Sequence, residues 1–166
     1  MWTLSAYFIG LNANAFIYDA LFSALIVMTF IDIDTKEIPN GIVVFIIILS
    51  IPLFFTAKDV VWWHRLVGAV VISVPLYVIA LVTGGIGGGD IKLYFALGLV
   101  LGLYPTLVSA FIAIVSAGLI GGALLLTKKV RKGYELPLGP FIALGAVVTV
   151  FAGTPIIDGI KNLFGI

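Results

Sequence analysis

Three acidic residues stand where this chain has chemistry to offer. Asp90 follows a run of glycines in Gly87-Gly88-Gly89-Asp90-Ile91-Lys92, at the mouth of an apolar stretch, and Asp32-Ile33-Asp34 closes an earlier one. Two apolar stretches separate the motifs, and an even number of membrane crossings returns a chain to the face it left. Both motifs therefore belong on one membrane face. Two carboxyl groups brought together at low dielectric repel as anions, so the pair shares a proton near neutral pH. The protonated member can donate while the ionised member takes a proton from water. That is the minimum equipment of an aspartyl protease working at a bilayer surface. An acidic span end alone is usually just an interfacial residue, whereas paired acids at membrane depth are seldom idle. Asp34 competes with Asp32 within its own cluster, and spacing does not choose between them.

These side chains have to be held by a membrane fold. The 166 residues are 62% hydrophobic and 10% charged, with a mean hydropathy of +1.27, more apolar surface than a water-soluble core hides. A spanning helix takes about 20 apolar residues, so the expectation is an all-α polytopic membrane protein of about six transmembrane helices forming a single domain over 1–166. Span 1 reads as Tyr18 to Ile31, ending at Asp32. Span 2 reads as Gly41 to Thr56, opened by Pro39 and Asn40 because proline suits a helix start. A polar loop covers Lys58 to Arg65. Span 3 runs from Leu66 to Val82, span 4 from Ile91 until it fades at Leu103-Tyr104-Pro105, span 5 from Thr106 to Leu126, and span 6 from Leu138 to Phe151. Thr154 to Ile166 reads as a short interfacial helix, and Lys128 to Glu135 as the most soluble loop.

Basic residues near span ends are retained in the cytoplasm. Lys36, Lys92, Lys128, Lys129, Arg131 and Lys132 share the face of the acidic motifs, against Lys58, Arg65 and Lys161 opposite, which places those motifs in the cytoplasm. Trp62 and Trp63 fit an aromatic belt at the opposite boundary. The net charge of +1 and the scattered basic residues argue against nucleic-acid binding. Zero cysteines exclude disulfides and thiolate chemistry, and a lone histidine, His64, builds no metal cluster. No cofactor and no metal are expected.

The glycines Gly84, Gly85, Gly87, Gly88 and Gly89 strip side chains from the approach to Asp90, so Gly87, Gly88 and Gly89 are candidate substrate-binding positions where an extended backbone can come close. Their structural reading is helix packing through small residues. The amino-terminal position of Asp90 on its helix favours its ionised form, which leaves Asp32 as the proton carrier of the resting pair. Lys92 is a positive-inside anchor or a cation that tunes the pair. Asp19 marks the outer end of span 1.

Three segments, Asp32-Ile33-Asp34-Thr35-Lys36-Glu37-Ile38-Pro39-Asn40, Gly85-Ile86-Gly87-Gly88-Gly89-Asp90-Ile91-Lys92-Leu93 and Leu136-Pro137-Leu138-Gly139-Pro140-Phe141-Ile142-Ala143-Leu144-Gly145, together resemble the type IV prepilin peptidase family, aspartyl proteases of the GxGD type. The resemblance covers nearly the whole chain and keeps the family's motif order. It implies Asp32, seven residues ahead of Pro39, and Asp90 as the catalytic pair. It also implies removal of a short basic leader from prepilin-like or archaeal preflagellin-like substrates, after a glycine and at the cytoplasmic face of the cell membrane. Many bacterial members also methylate the new amino terminus and carry an extra amino-terminal segment with paired cysteines. This sequence resembles the compact peptidase-only branch, and methyltransferase activity is expected to be absent. Two other readings compete. Tyr18-Asp19 resembles the tyrosine-aspartate motif of presenilin-like intramembrane proteases, but the Pro-Ala-Leu motif is missing and Asp19 falls on the wrong face. A non-enzymatic subunit whose acidic pair conducts protons or a cation is the alternative from another class.

Overall fold

A computed structural model describes residues 13–57, 60–127 and 136–164. The described residues form six helices and no strand: α1 (Ala13–Thr35), α2 (Asn40–Thr56), α3 (Trp62–Thr83), α4 (Gly88–Leu101), α5 (Leu103–Leu126) and α6 (Gly139–Phe164). Three are long and apolar enough to cross a bilayer, over Asn14–Thr35, Trp62–Thr83 and Leu103–Leu126. With 17 and 14 residues, α2 and α4 reach only about 26 and 21 Å at 1.5 Å per residue, short of a hydrocarbon core of about 30 Å. The helix count matches the expectation, and spanning length is met in part. Large apolar side chains point outward along the bundle, among them Phe55, Val82 and Leu126 at 78%, 82% and 86% exposure, as lipid contact requires and water does not tolerate.

The short helix α4 is the centre of the molecule. It packs against α2, α3, α5 and α6, and from Ala96 to Leu101 every residue is buried. Two glycines allow this. A Cβ on Gly68 of α3 would sit 2.9 Å from the Gly98 carbonyl oxygen of α4, and a Cβ on Gly98 would meet the Gly68 backbone, so the two main chains touch. Close helix approach through small residues is how apolar helices pack where lipid competes for the same surface. Gly68 and Gly98 play such a packing role. Leu21, Leu25 and Met28 of α1, Ile46 and Leu53 of α2, and Leu93, Leu97 and Val100 of α4 fill the core beneath the acidic residues.

Several sequence expectations change here. Span 1 does not end at Asp32, because the helix runs on to Thr35 with Asp32 facing inward. It ends where Lys36 takes a left-handed backbone, φ 56, while its N–H bonds the Asp32 carbonyl at 2.9 Å. Extended Pro39 then starts α2. Arg65 is no loop anchor. It lies in the first turn of α3, fully buried, and donates to the Leu99 and Val100 carbonyls at the end of α4, where a cation offsets carbonyls that lack helical partners. His64 also lies within α3, while Trp62 and Trp63 are exposed at its start as a belt requires. The interfacial tail is a continuation of α6 as far as Phe164. Lys58 and the loop Lys128 to Glu135 lie outside the described residues.

Candidate active site

Each acidic residue is held in place by a different motif. Asp90 sits in the first turn of α4, ahead of the apolar run that starts at Ile91, and its backbone N–H bonds the Gly87 carbonyl at 3.1 Å. The glycine run ahead of it has divided tasks. Gly84 closes α3 with φ 63, its N–H on the Ala80 carbonyl at 2.8 Å, a left-handed cap that suits glycine. At Gly87 a Cβ would lie 3.1 Å from the Asp90 carboxylate, so this glycine is what leaves the carboxylate open. Gly88 and Gly89 belong to α4 itself. A Cβ on Gly89 would press on Ile38 at 2.9 Å, whereas Gly88 borders open space and has no positive φ. The openness inferred for the run therefore concentrates at Gly87.

Asp32 is fixed from the far end of the chain. The Gly139 N–H, at the start of α6, donates to Asp32 Oδ2 at 2.8 Å across 107 residues. A helix start carries unpaired N–H groups and a partial positive charge, which suits a carboxylate. Glycine is required by space: a Cβ at 139 would lie 2.6 Å from Asp32 Oδ2 and 2.9 Å from Met28 Sδ. Gly139 is the residue that reading the sequence for chemistry passed over. Its signal was the Leu-Gly-Pro of the third motif, because proline one residue into a helix marks a helix start.

Asp32 is 4% and Asp90 9% exposed, and both line one polar cleft of about 490 Å³ bordered by Lys36, Gly84, Gly87 and Pro137. A second mouth of about 340 Å³ reaches the same two carboxyls between Ile38, Asn40 and Lys92. Asp34, two residues from Asp32 and on the other side of the helix, is exposed and lines neither. Asp19 is buried in the first half of α1, about 20 Å along the helix from Asp32. Lys92 Nζ donates to Asn40 Oδ1 at 3.1 Å, tying the starts of α4 and α2 together at the rim.

At Asp90 the helix start is opposed by its surroundings. Burial, and then the charge of Asp32, push its carboxyl from 3.8 up to about 6, and a hydrogen bond from Gly87 opposes this only in part. The helix start is outweighed because both carboxyls are shut away from water. Lys92 is absent from the causes of that shift. Two carboxyls at one buried cleft, with one still holding protons near neutrality, can pass a proton in and out of a bound water.

The fold and this cleft define a helical membrane protein with a buried aspartate pair at one end of its bundle. Residues 20–122, which include both aspartates, match the type IV leader peptidase family, and the chain belongs to that family. It is 35% identical over 151 residues to a prepilin leader peptidase/N-methyltransferase of Bacillus subtilis (strain 168), covering 90% of this chain and 60% of that protein. Proteins of the same name from Burkholderia pseudomallei (strain 1026b) and Stutzerimonas stutzeri are 33% and 30% identical, covering 81% and 80% of this chain and 46% and 48% of theirs. The chain thus spans about half the length of these relatives. No solved structure matches.

Proposed function

We propose that this protein is a prepilin peptidase: an aspartyl endopeptidase that removes the short basic leader of prepilin-like or preflagellin-like proteins at the cytoplasmic face of the cell membrane. The observation that carries the reading is the meeting of Asp32 and Asp90, 58 residues apart in sequence, at one buried cleft of a membrane protein of the type IV leader peptidase family. Asp32 is assigned the base, since a backbone N–H and a helix start favour its carboxylate. Asp90 is assigned the acid, since its carboxyl keeps its proton up to about 6. The two titrate as one unit, so these are roles within the pair.

In the first step Asp32 takes a proton from water as the water oxygen attacks the scissile carbonyl carbon, and Asp90 gives its proton to the carbonyl oxygen. In the second, the C–N bond breaks as the carbonyl re-forms, the leaving nitrogen takes the proton held by Asp32, and the hydroxyl proton returns to Asp90. The open backbone at Gly87, with Gly88 and Gly89 beyond it, is assigned to admit the extended leader segment. Lys36 and Lys92 at the rim support the cytoplasmic orientation, as basic residues beside membrane helices do. N-methylation, the second part of the relatives' names, is not assigned to these 166 residues. The test is incubation of the protein in lipid vesicles with a prepilin-like substrate, followed by mass spectrometry. The expected product is cut once ahead of its apolar helix and carries an unmethylated amino terminus. An intact substrate would reject the peptidase, and a methylated product the restriction to peptide cleavage.

A further inference from the structure

The mechanism uses Asp32, Asp90 and water, and leaves one buried polar group beside them without a task. Tyr94 lies four residues beyond Asp90 on α4 and is 4% exposed, and its buried hydroxyl has no hydrogen-bond partner among the described residues. Side chains on a helix lean toward its amino end, so residues four apart share a face and the later one covers the turn of the earlier. The Tyr94 ring therefore reaches back toward Asp90, and its hydroxyl lies within electrostatic reach of that carboxyl. Both residues line a cavity of about 50 Å³ that is otherwise apolar, walled by Ile72, Leu76, Ala113 and Phe141 among others.

Such walls offer the hydroxyl nothing, and an unpaired buried hydroxyl costs free energy that phenylalanine at the same position would avoid. Asp90 apart, nothing in these walls can accept from the hydroxyl, and an acceptor that arrives beside Asp90 would complete it. A substrate peptide supplies one in its carbonyl oxygen. We propose that Tyr94 is a further substrate-contacting residue of this site, its hydroxyl donating a hydrogen bond to the carbonyl oxygen under attack. The inference rests on the peptidase reading above. As water adds to the carbonyl carbon, the carbonyl electron pair moves to oxygen, which receives the Asp90 proton. Tyr94 keeps its own proton and lends only the hydrogen bond, which strengthens as charge builds on the oxygen and relaxes when the C–N bond breaks.

Tyr94→Phe removes the oxygen and little else. With a prepilin-like substrate in lipid vesicles, its kcat should fall about 100- to 1,000-fold, the range of one lost donor to a developing oxyanion. KM should stay within about twofold, as for a contact made mainly in the transition state, and the melting temperature in detergent should hold or rise. A hydroxyl with a structural partner would behave oppositely, with lower melting and unchanged kcat per folded enzyme. That result, or an unchanged kcat at unchanged stability, overturns the assignment. Wild-type and Asp90→Asn controls separate the two ideas. If wild type cleaves, Asp90→Asn does not, and Tyr94→Phe matches wild type, only the Tyr94 role falls; if wild type does not cleave, both fall.

Discussion

Gly139→Ala is a one-carbon change 107 residues from Asp32, and it should cripple catalysis. The added carbon would lie 2.6 Å from Asp32 Oδ2, where ordinary contact begins at 3.4 Å, so the carboxylate or the start of α6 must retreat by about 0.8 Å. Met28 Sδ at 2.9 Å blocks the easy escape on the other side. Overpacking of this kind costs about 1–3 kcal/mol. Any retreat also stretches the 2.8 Å bond from the Gly139 N–H, and a hydrogen bond to a charged group contributes about 1.5–3 kcal/mol. The fold loses part of this, but the larger effect falls on rate, since a displacement near 1 Å in an oriented site costs about 10²-fold. The assay is leader removal per folded molecule, read beside melting temperature in detergent. We expect turnover to drop about 100-fold with the protein still folded. Wild-type turnover in Gly139→Ala would refute the idea that the start of α6 positions Asp32.

Two further outcomes follow from the same geometry. Asp90 holds its proton up to about 6 instead of 3.8, so between those pH values the folded protein binds a proton that the unfolded chain has released, and stability falls as pH rises through that window and is flat above it. Asparagine cannot ionise, so Asp90→Asn should be more stable than wild type at pH 8, by at most about 3 kcal/mol, and equal to it near pH 4 in detergent melting; a constant difference would deny the buried acid. Gly98→Ala should lower stability by about 1–3 kcal/mol or prevent folding, because its Cβ meets the Gly68 backbone; an unchanged melting temperature would mean that α3 and α4 do not touch there.

What the sequence made legible was set by what is local. The start of α2 followed from Pro39, counting crossings put the Asp32-Ile33-Asp34 cluster on one face with Asp90, and the choice of Asp32 over Asp34 came from the family resemblance. The ends of α1 and α3 were misjudged for one reason: Asp32 and Arg65 looked like polar residues leaving the membrane, yet each is buried against a partner brought by another helix. Tertiary partners of this kind leave no mark on hydropathy. The glycine run was read as one feature, but φ 63 at Gly84, the open carboxylate at Gly87 and the Ile38 contact at Gly89 are three different demands. At Asp90 the sequence showed the helix start but not the burial that opposes it.

The central claim is that Asp32 and Asp90, and not Asp34, form the working pair. The most direct measurement is cleavage of a prepilin-like substrate in lipid vesicles by Asp32→Asn, Asp90→Asn and Asp34→Asn, each shown to be folded by its melting curve. Buried in one cleft, Asp32 and Asp90 should each be indispensable, while exposed Asp34 should be replaceable with activity close to wild type. An active Asp32→Asn or Asp90→Asn enzyme, or an inactive folded Asp34→Asn enzyme, would contradict the account.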